Sequence, residues 1–285
     1  MKELSLVYAL IMAASISCFS QSGVKTTTRF AISPDNIQIA YEVHGTGEPA
    51  LVFVHGWSCD RSYWKNQLAF FSEKYSVVVI DLAGHGESGI GRKGWTIESF
   101  GADVASVVKK LGIKKVILIG HSMGGDVIAE AARQLPGQVV GLIMVDTYKK
   151  LGPGRSPEEV QSFQKRFGSN FKDSVHAFVR SMFLPTSDSA LMEDVANDMS
   201  SAPPDIALPE LASAMNYSRQ MPKSLEELKL RVIAINPDNA PTDIASMERY
   251  GIEVMILHGA GHFVMMENPP DFNRLLMMAI NKLVP

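Results

Sequence analysis

The clearest chemical signal in the chain is the stretch Gly120-His121-Ser122-Met123-Gly124-Gly125. It follows the apolar run Val116-Ile117-Leu118-Ile119 and precedes a helix-forming segment, Asp126 to Ala132. A β-branched run, glycines around one serine, then a helix read as strand, sharp turn and helix, the G-x-S-x-G nucleophile elbow. Such a turn strains the serine backbone and lifts its hydroxyl clear of the sheet. Gly120 and Gly124 leave room for strand and helix to approach closely. The backbone N–H of Met123, at the helix N-terminus, points toward developing negative charge. A serine hydroxyl is protonated at neutral pH, so it needs an adjacent base. Seven histidines could supply one. A glycine-rich turn with an incidental serine would look the same locally, and the surrounding chain has to decide.

The surrounding chain alternates strand and helix signals. Thr26 to Ile32 and Ile37 to Val43 alternate apolar and polar residues about Pro34-Asp35-Asn36, which predicts a β-hairpin. Leu51–Val54, Val77–Ile80, Val116–Ile119, Val139–Val145, Arg231–Ile235 and Ile252–Leu257 are short apolar runs of buried-strand type. Helical spacing occupies Arg61–Tyr75, Thr96–Leu111, Asp126–Gln134, Thr242–Tyr250 and Pro269–Leu283, with Thr96 and Thr242 as N-caps. Apolar strands separated by helices mean a parallel sheet covered on both faces. The rhythm breaks between Tyr148 and Leu228, where helical stretches are predicted near 158–171, 174–183, 189–199 and 209–217. The expected architecture is α/β: a mostly parallel twisted sheet with helices on both faces. Its core would span 23–147 and 229–285, with a helical cap insertion at 148–228.

Composition narrows the function classes. The chain has 285 residues, 46% hydrophobic and 20% charged, with net charge −3, which suits a globular domain with a sizeable core. No basic stripe predicts nucleic-acid binding, and no internal stretch has the length of a membrane span. The start of the chain differs. Lys2 precedes an apolar run from Leu4 to Ile16 and then small and polar residues, Ser17 to Gly23, the pattern of a secretory signal over 1–22. Export is the expectation, with cleavage near Ser20 to Gly23, and with an uncleaved anchor or lipid attachment at Cys18 as the alternatives.

Four motifs, in this order, resemble those of the α/β-hydrolase superfamily: His55-Gly56-Trp57, Asp81-x-x-Gly84-His85-Gly86-x-Ser88, Gly120-His121-Ser122-Met123-Gly124 and Gly259-x-Gly261-His262-Phe263. The resemblance covers about Thr26 to Pro285. It implies Ser122 as nucleophile and His262, in the loop after the last strand, as its base. It also implies an oxyanion hole made by the backbone N–H groups of Trp57 and Met123. The acid departs from the usual Gly-x-x-Asp. Asp238 would serve if the loop Asn236–Thr242 is shortened, and Asp146, directly after the sixth strand, is the other candidate, with Asp243 third. The alternative roles are a carboxylate at the start of the insertion for Asp146, and turn or cap chemistry for Asp238 and Asp243.

The chemistry expected is hydrolysis of ester-type acyl bonds through an acyl-enzyme on Ser122, with a small-molecule substrate and no cofactor. No His/Cys/Asp cluster has metal-ligand spacing, and Cys59 reads as a small buried side chain. The insertion carries Phe163, Phe167, Phe171, Phe178, Phe183, Met182, Met192, Met199 and Met215, which favours a hydrophobic substrate group. The same fold also supports lactonase, thioesterase, carbon–carbon hydrolase and perhydrolase chemistry, or a small-molecule receptor without turnover.

Overall fold

The computed structural model describes residues 27–284, Ser169 excepted. The expected signal segment and Cys18 lie outside the described residues. The strands are β1 (Arg29–Ile32), β2 (Gln38–His44), β3 (Ala50–Val54), β4 (Val77–Ile80), β5 (Val116–His121), β6 (Val139–Val145), β7 (Arg231–Pro237) and β8 (Ile252–Leu257). They form one sheet in the order β1-β2-β4-β3-β5-β6-β7-β8. The β1–β2 hairpin is antiparallel, β2 joins β4 antiparallel, and the remaining pairs are parallel. Every residue of β3, β4 and β5 is buried. Continuous apolar strands are stable only where helices cover both faces.

Those helices are α1 (Lys65–Ser72), α2 (Ile97–Lys110), α3 (Met123–Arg133), α9 (Ile244–Glu248), α10 (Val264–Glu267) and α11 (Pro269–Leu283). Between β6 and β7 run α4 (Pro157–Gly168), α5 (Phe171–Arg180), α6 (Ser189–Ser200), α7 (Pro204–Tyr217) and α8 (Met221–Leu228). α2 starts where Thr96 and Ser99 exchange hydrogen bonds, both 3.2 Å, which satisfies two of the open N–H groups of its first turn.

Four local expectations need correction. α3 begins at Met123, directly after Ser122, and not at Asp126. α7 begins at Pro204, so Pro209 lies inside it rather than opening it. α8 went unforeseen, because Pro222 reads as a breaker although proline is tolerated in a first helical turn. α9 is capped by Asp243, whose carboxylate accepts from Ser246 N at 3.1 Å, and not by Thr242.

Parallel strands deliver their following loops to one edge of the sheet. Register aligns Val54 with Gly120, Gly120 with Met144, and Val145 with Ile235. The residues after these strand ends, His55, Ser122, Asp146 and the loop after β8, therefore emerge at a common rim.

Candidate active site

At the end of β5 the chain turns at Ser122 with φ 52 and ψ −121. A non-glycine residue in this region is strained, and the surroundings must hold it there. They do so by closeness. A Cβ on Gly120 would lie 2.1 Å from Gly124 O, and one on Gly124 would lie 2.6 Å from the carbonyls of both Val54 and His55. Ser122 N donates to Val145 O at 2.9 Å and its carbonyl accepts from Gly125 N at 2.9 Å. Met123 is the first residue of α3, so its N–H has no acceptor within the helix.

Of the three candidate aspartates, the structure brings one, Asp146, to His262. Asp146 Oδ2 is 2.7 Å from His262 Nδ1, leaving Nε2 as the ring's remaining nitrogen. Asp146 is itself held in an unusual backbone conformation, φ 44, which aspartate tolerates better than most residues. Burial acts to raise its pKa. The hydrogen bond and charge of His262, with Lys149 Nζ at 3.1 Å from Oδ1, outweigh burial and hold the carboxyl below its ordinary range.

Asp238 goes elsewhere. Register pairs Pro237 with Leu257, so the next residues on the two strands, Asp238 and His258, are neighbours. Asp238 accepts from His258 Nδ1 at 2.9 Å and from Gly259 N at 3.1 Å, in solvent. These bonds pull its pKa down. Asp243, the third candidate, caps α9.

Several residues that position the site gave no such signal in the sequence. Glu267 clasps the His262 loop: its carboxylate accepts from Gly261 N at 3.0 Å, Phe263 N at 3.1 Å and Ser187 Oγ at 2.6 Å. An acid one helical turn beyond a glycine-rich loop is the readable signal, because the bare N–H groups there need an acceptor. His262 N donates to Met182 O, and its carbonyl accepts from His121 Nε2, both at 3.0 Å. Burial, then the neighbouring His262, lowers the His121 pKa to about 3, so this ring is neutral.

The loop after β3 is held from above by α7. Trp57 Nε1 donates to Ala207 O at 2.7 Å, and Ser58 N donates to Glu210 Oε1 at 3.2 Å. Glu210 is fully buried and also meets His85 Nε2 at 3.2 Å. Cys59 is buried with its thiol on Trp57 O at 3.3 Å, and burial pushes its pKa well up.

These parts enclose a cavity of about 610 Å³. Ser122, Met123, Trp57, Asp146 and His262 all line it. Phe163, Phe178, Met182, Met199 and Met215 supply much of its apolar wall, and Phe167 packs on Trp57. Among the described residues no group of His, Cys, Asp and Glu could hold a metal ion, and no helix is long and apolar enough to cross a membrane. A serine in a strained turn, a His–Asp pair and a free helix-terminal amide around one cavity can support acyl transfer.

A family model described as the alpha/beta hydrolase family matches residues 51–275. The non-heme haloperoxidase of Rhodococcus erythropolis is 35% identical over 118 residues, 41% of this chain and 43% of that protein. The pimeloyl-[acyl-carrier protein] methyl ester esterase of Yersinia pseudotuberculosis is 25% identical over 259 residues, 84% of this chain and 96% of that protein. The chain spans less than half the length of several curated relatives it matches. Among solved structures, an esterase from Exiguobacterium antarcticum superposes with a TM-score of 0.78 at 17% identity, covering 90% of this chain and 100% of that one.

Proposed function

The chain belongs to the alpha/beta hydrolase family, and we propose that within it the protein is a serine hydrolase acting on carboxylic esters of small, largely apolar molecules. The observation that carries this reading is the His262–Asp146 pair at 2.7 Å on the wall of the cavity that holds Ser122. In the proposed reaction Ser122 Oγ attacks the ester carbonyl carbon while His262 Nε2 takes its proton. The carbonyl oxygen becomes an oxyanion and accepts from the N–H groups of Met123 and Trp57. Asp146 keeps the His262 Nδ1 proton in place and stabilises the imidazolium. Collapse of the tetrahedral intermediate breaks the C–O bond, and His262 gives its proton to the leaving alcohol. Water, deprotonated by His262, then attacks the acyl-enzyme and frees the acid and Ser122.

The helices from 157 to 228 act in this reading as a cap that supplies the apolar wall. Residues 1–22 act as an export signal, a reading supported by Lys2 and the apolar run Leu4–Ile16. Mass spectrometry of the exported protein tests it: a new N-terminus between Ser20 and Gly23 means a free protein, and a diacylglyceryl mass on Cys18 an anchored one.

The test of the chemistry is labelling by a fluorophosphonate probe together with hydrolysis of p-nitrophenyl butyrate. Both are expected in the wild type and absent in Ser122→Ala. Either one persisting in the folded variant overturns the assignment.

A further inference from the structure

Much of the cavity wall is apolar, but Asp126, Tyr148 and Thr147 also line it, and the proposed reaction uses none of them. Asp126 lies in the first turn of α3, the helix that Ser122 caps, and is 5% exposed. Tyr148 Oη donates to its Oδ1. Tyr148 is fixed in turn through its carbonyl, which accepts from Asn236 Nδ2 at 2.8 Å. Thr147 Oγ1 is buried with no hydrogen-bond partner. A Cβ on Gly125 would fall 2.0 Å from it, so this hydroxyl lies against α3 beside Asp126.

A carboxyl offers about four acceptor positions, and the phenol occupies one. Burial pushes the Asp126 carboxyl up to about 7, and no cation among the described residues offsets it. Filling a core site this way is costly, and an apolar side chain would be more stable there. A few convergent polar groups in an otherwise apolar pocket are instead the arrangement that orients a ligand. Lys150 and Arg155 also line the cavity, which disfavours a cationic ligand. The Thr147 hydroxyl is packed against the helix and closed to the cavity, so the open group is Asp126, and a neutral hydroxyl suits it because it can donate to the carboxylate and accept from the protonated carboxyl.

We propose that Asp126, held by Tyr148, forms a recognition subsite for a hydroxyl group on the substrate, so that the preferred esters are hydroxylated a few carbons from the scissile carbonyl. The kinetic side of this inference rests on the proposed ester hydrolysis; the binding side does not.

The experiment uses methyl esters that differ only in a hydroxyl moved one carbon at a time along the acyl chain, with the plain ester and an amino analogue as comparators. Binding to Ser122→Ala is measured by calorimetry, and kcat/KM is measured on the chain with Ser122 intact. One hydroxyl position is expected to bind about tenfold tighter than the plain ester. The same preference should appear in kcat/KM. In Tyr148→Phe it should fall toward about twofold, and in Asp126→Leu it should vanish. Tyr148→Phe keeps the test decisive if Asp126→Leu does not fold. No preference at any position, a stronger preference for the amino analogue, or an undiminished preference in the folded variants would each overturn the subsite. If the intact chain cleaves no ester while Ser122→Ala still prefers the hydroxylated one, ester hydrolysis fails and the subsite stands.

Discussion

Two histidine–carboxylate pairs sit at the same edge of this sheet, one half-buried and one buried, and they are built for opposite ends. In the first, His262 and Asp146 meet at 2.7 Å, the ring keeps one nitrogen unused, and its side chain is 17% exposed toward the cavity. In the second, His85 and Glu210 meet at 3.2 Å with side chains 6% and 0% exposed. His85 Nδ1 bonds Ala83 O at 3.0 Å, so both of its nitrogens are taken. Its ring lies 4.9 Å from that of His55. Burial acts to lower the His85 pKa, but the Glu210 charge and hydrogen bonds outweigh it and raise it. His55 shows the complement: burial, then the charge of His85, lowers its pKa to about 3. His55 Nε2 accordingly accepts from Leu82 N at 3.0 Å, as a neutral ring must. Both pairs join a histidine to a carboxylate. What separates them is a free lone pair: the ring we propose as the base keeps one, and His85 has none left.

The sharpest way to break this contrast is to remove each histidine. His262→Ala should lower kcat by roughly 10⁴-fold or more with little change in thermal midpoint, whereas His85→Ala should do the reverse. Steady-state kinetics and a melting curve on both variants decide it, and a large kcat loss in a fully stable His85→Ala would erase the distinction. Asp146→Asn should follow, with a kcat loss of about 10⁴-fold from the wrong tautomer and misorientation of His262.

Glu210→Leu should cost about 2 kcal/mol or more in urea unfolding, because it leaves His85 and Ser58 N without their buried acceptor. Adding His85→Phe should recover part of that loss.

The two pairs should also respond to pH with opposite sign. The folded His85 pKa is raised, so its stabilisation is complete below the ordinary value near 6.5 and is lost as pH rises through the folded value. The folded Asp146 pKa is lowered, so its stabilisation is present above the ordinary 3.8 and is lost as pH falls through the folded value. Subtracting the unfolding curves of His85→Phe and of Asp146→Asn from wild type isolates each trend. The smallest expected effect is that of Asp238→Asn. An exposed pair contributes little, so activity should stay within about twofold of wild type in the same kinetic assay.

What could be read from the chain was local, and what could not was carried by register and tertiary closure. The elbow at Ser122 and the glycine loop at His262 are short motifs whose chemistry is written in consecutive residues. The choice between Asp146 and Asp238 is not, because both follow apolar strands. Only the pairing of Pro237 with Leu257 sends Asp238 to His258 and leaves His262 to Asp146. The strands and flanking helices were legible because hydrophobic period and capping residues agree, as at Thr96. The insertion was legible as helical but not in its boundaries. Pro209 sits inside α7 and Pro222 inside the first turn of α8, against the usual reading of proline as a stop. Glu210 and Glu267 fall in none of the four motifs. Their partners are brought to them only by folding.

The grip of α7 on the loop after β3 bears on how this chain could be recombined with its relatives. Ala207 O and Glu210 lie on one helix and hold Trp57 Nε1 and Ser58 N on another segment far away in sequence. A chimera that imports a foreign set of helices between β6 and β7 would inherit the serine, the histidine and the aspartate intact. It would nevertheless lose the acceptors that fix the Trp57 loop, and it would leave His85 without its Glu210 partner. The portable unit of this fold therefore is not the sheet with its loops. It is the sheet together with α7, and a graft should carry residues 204–217 with it or be redesigned at His85 and Ser58.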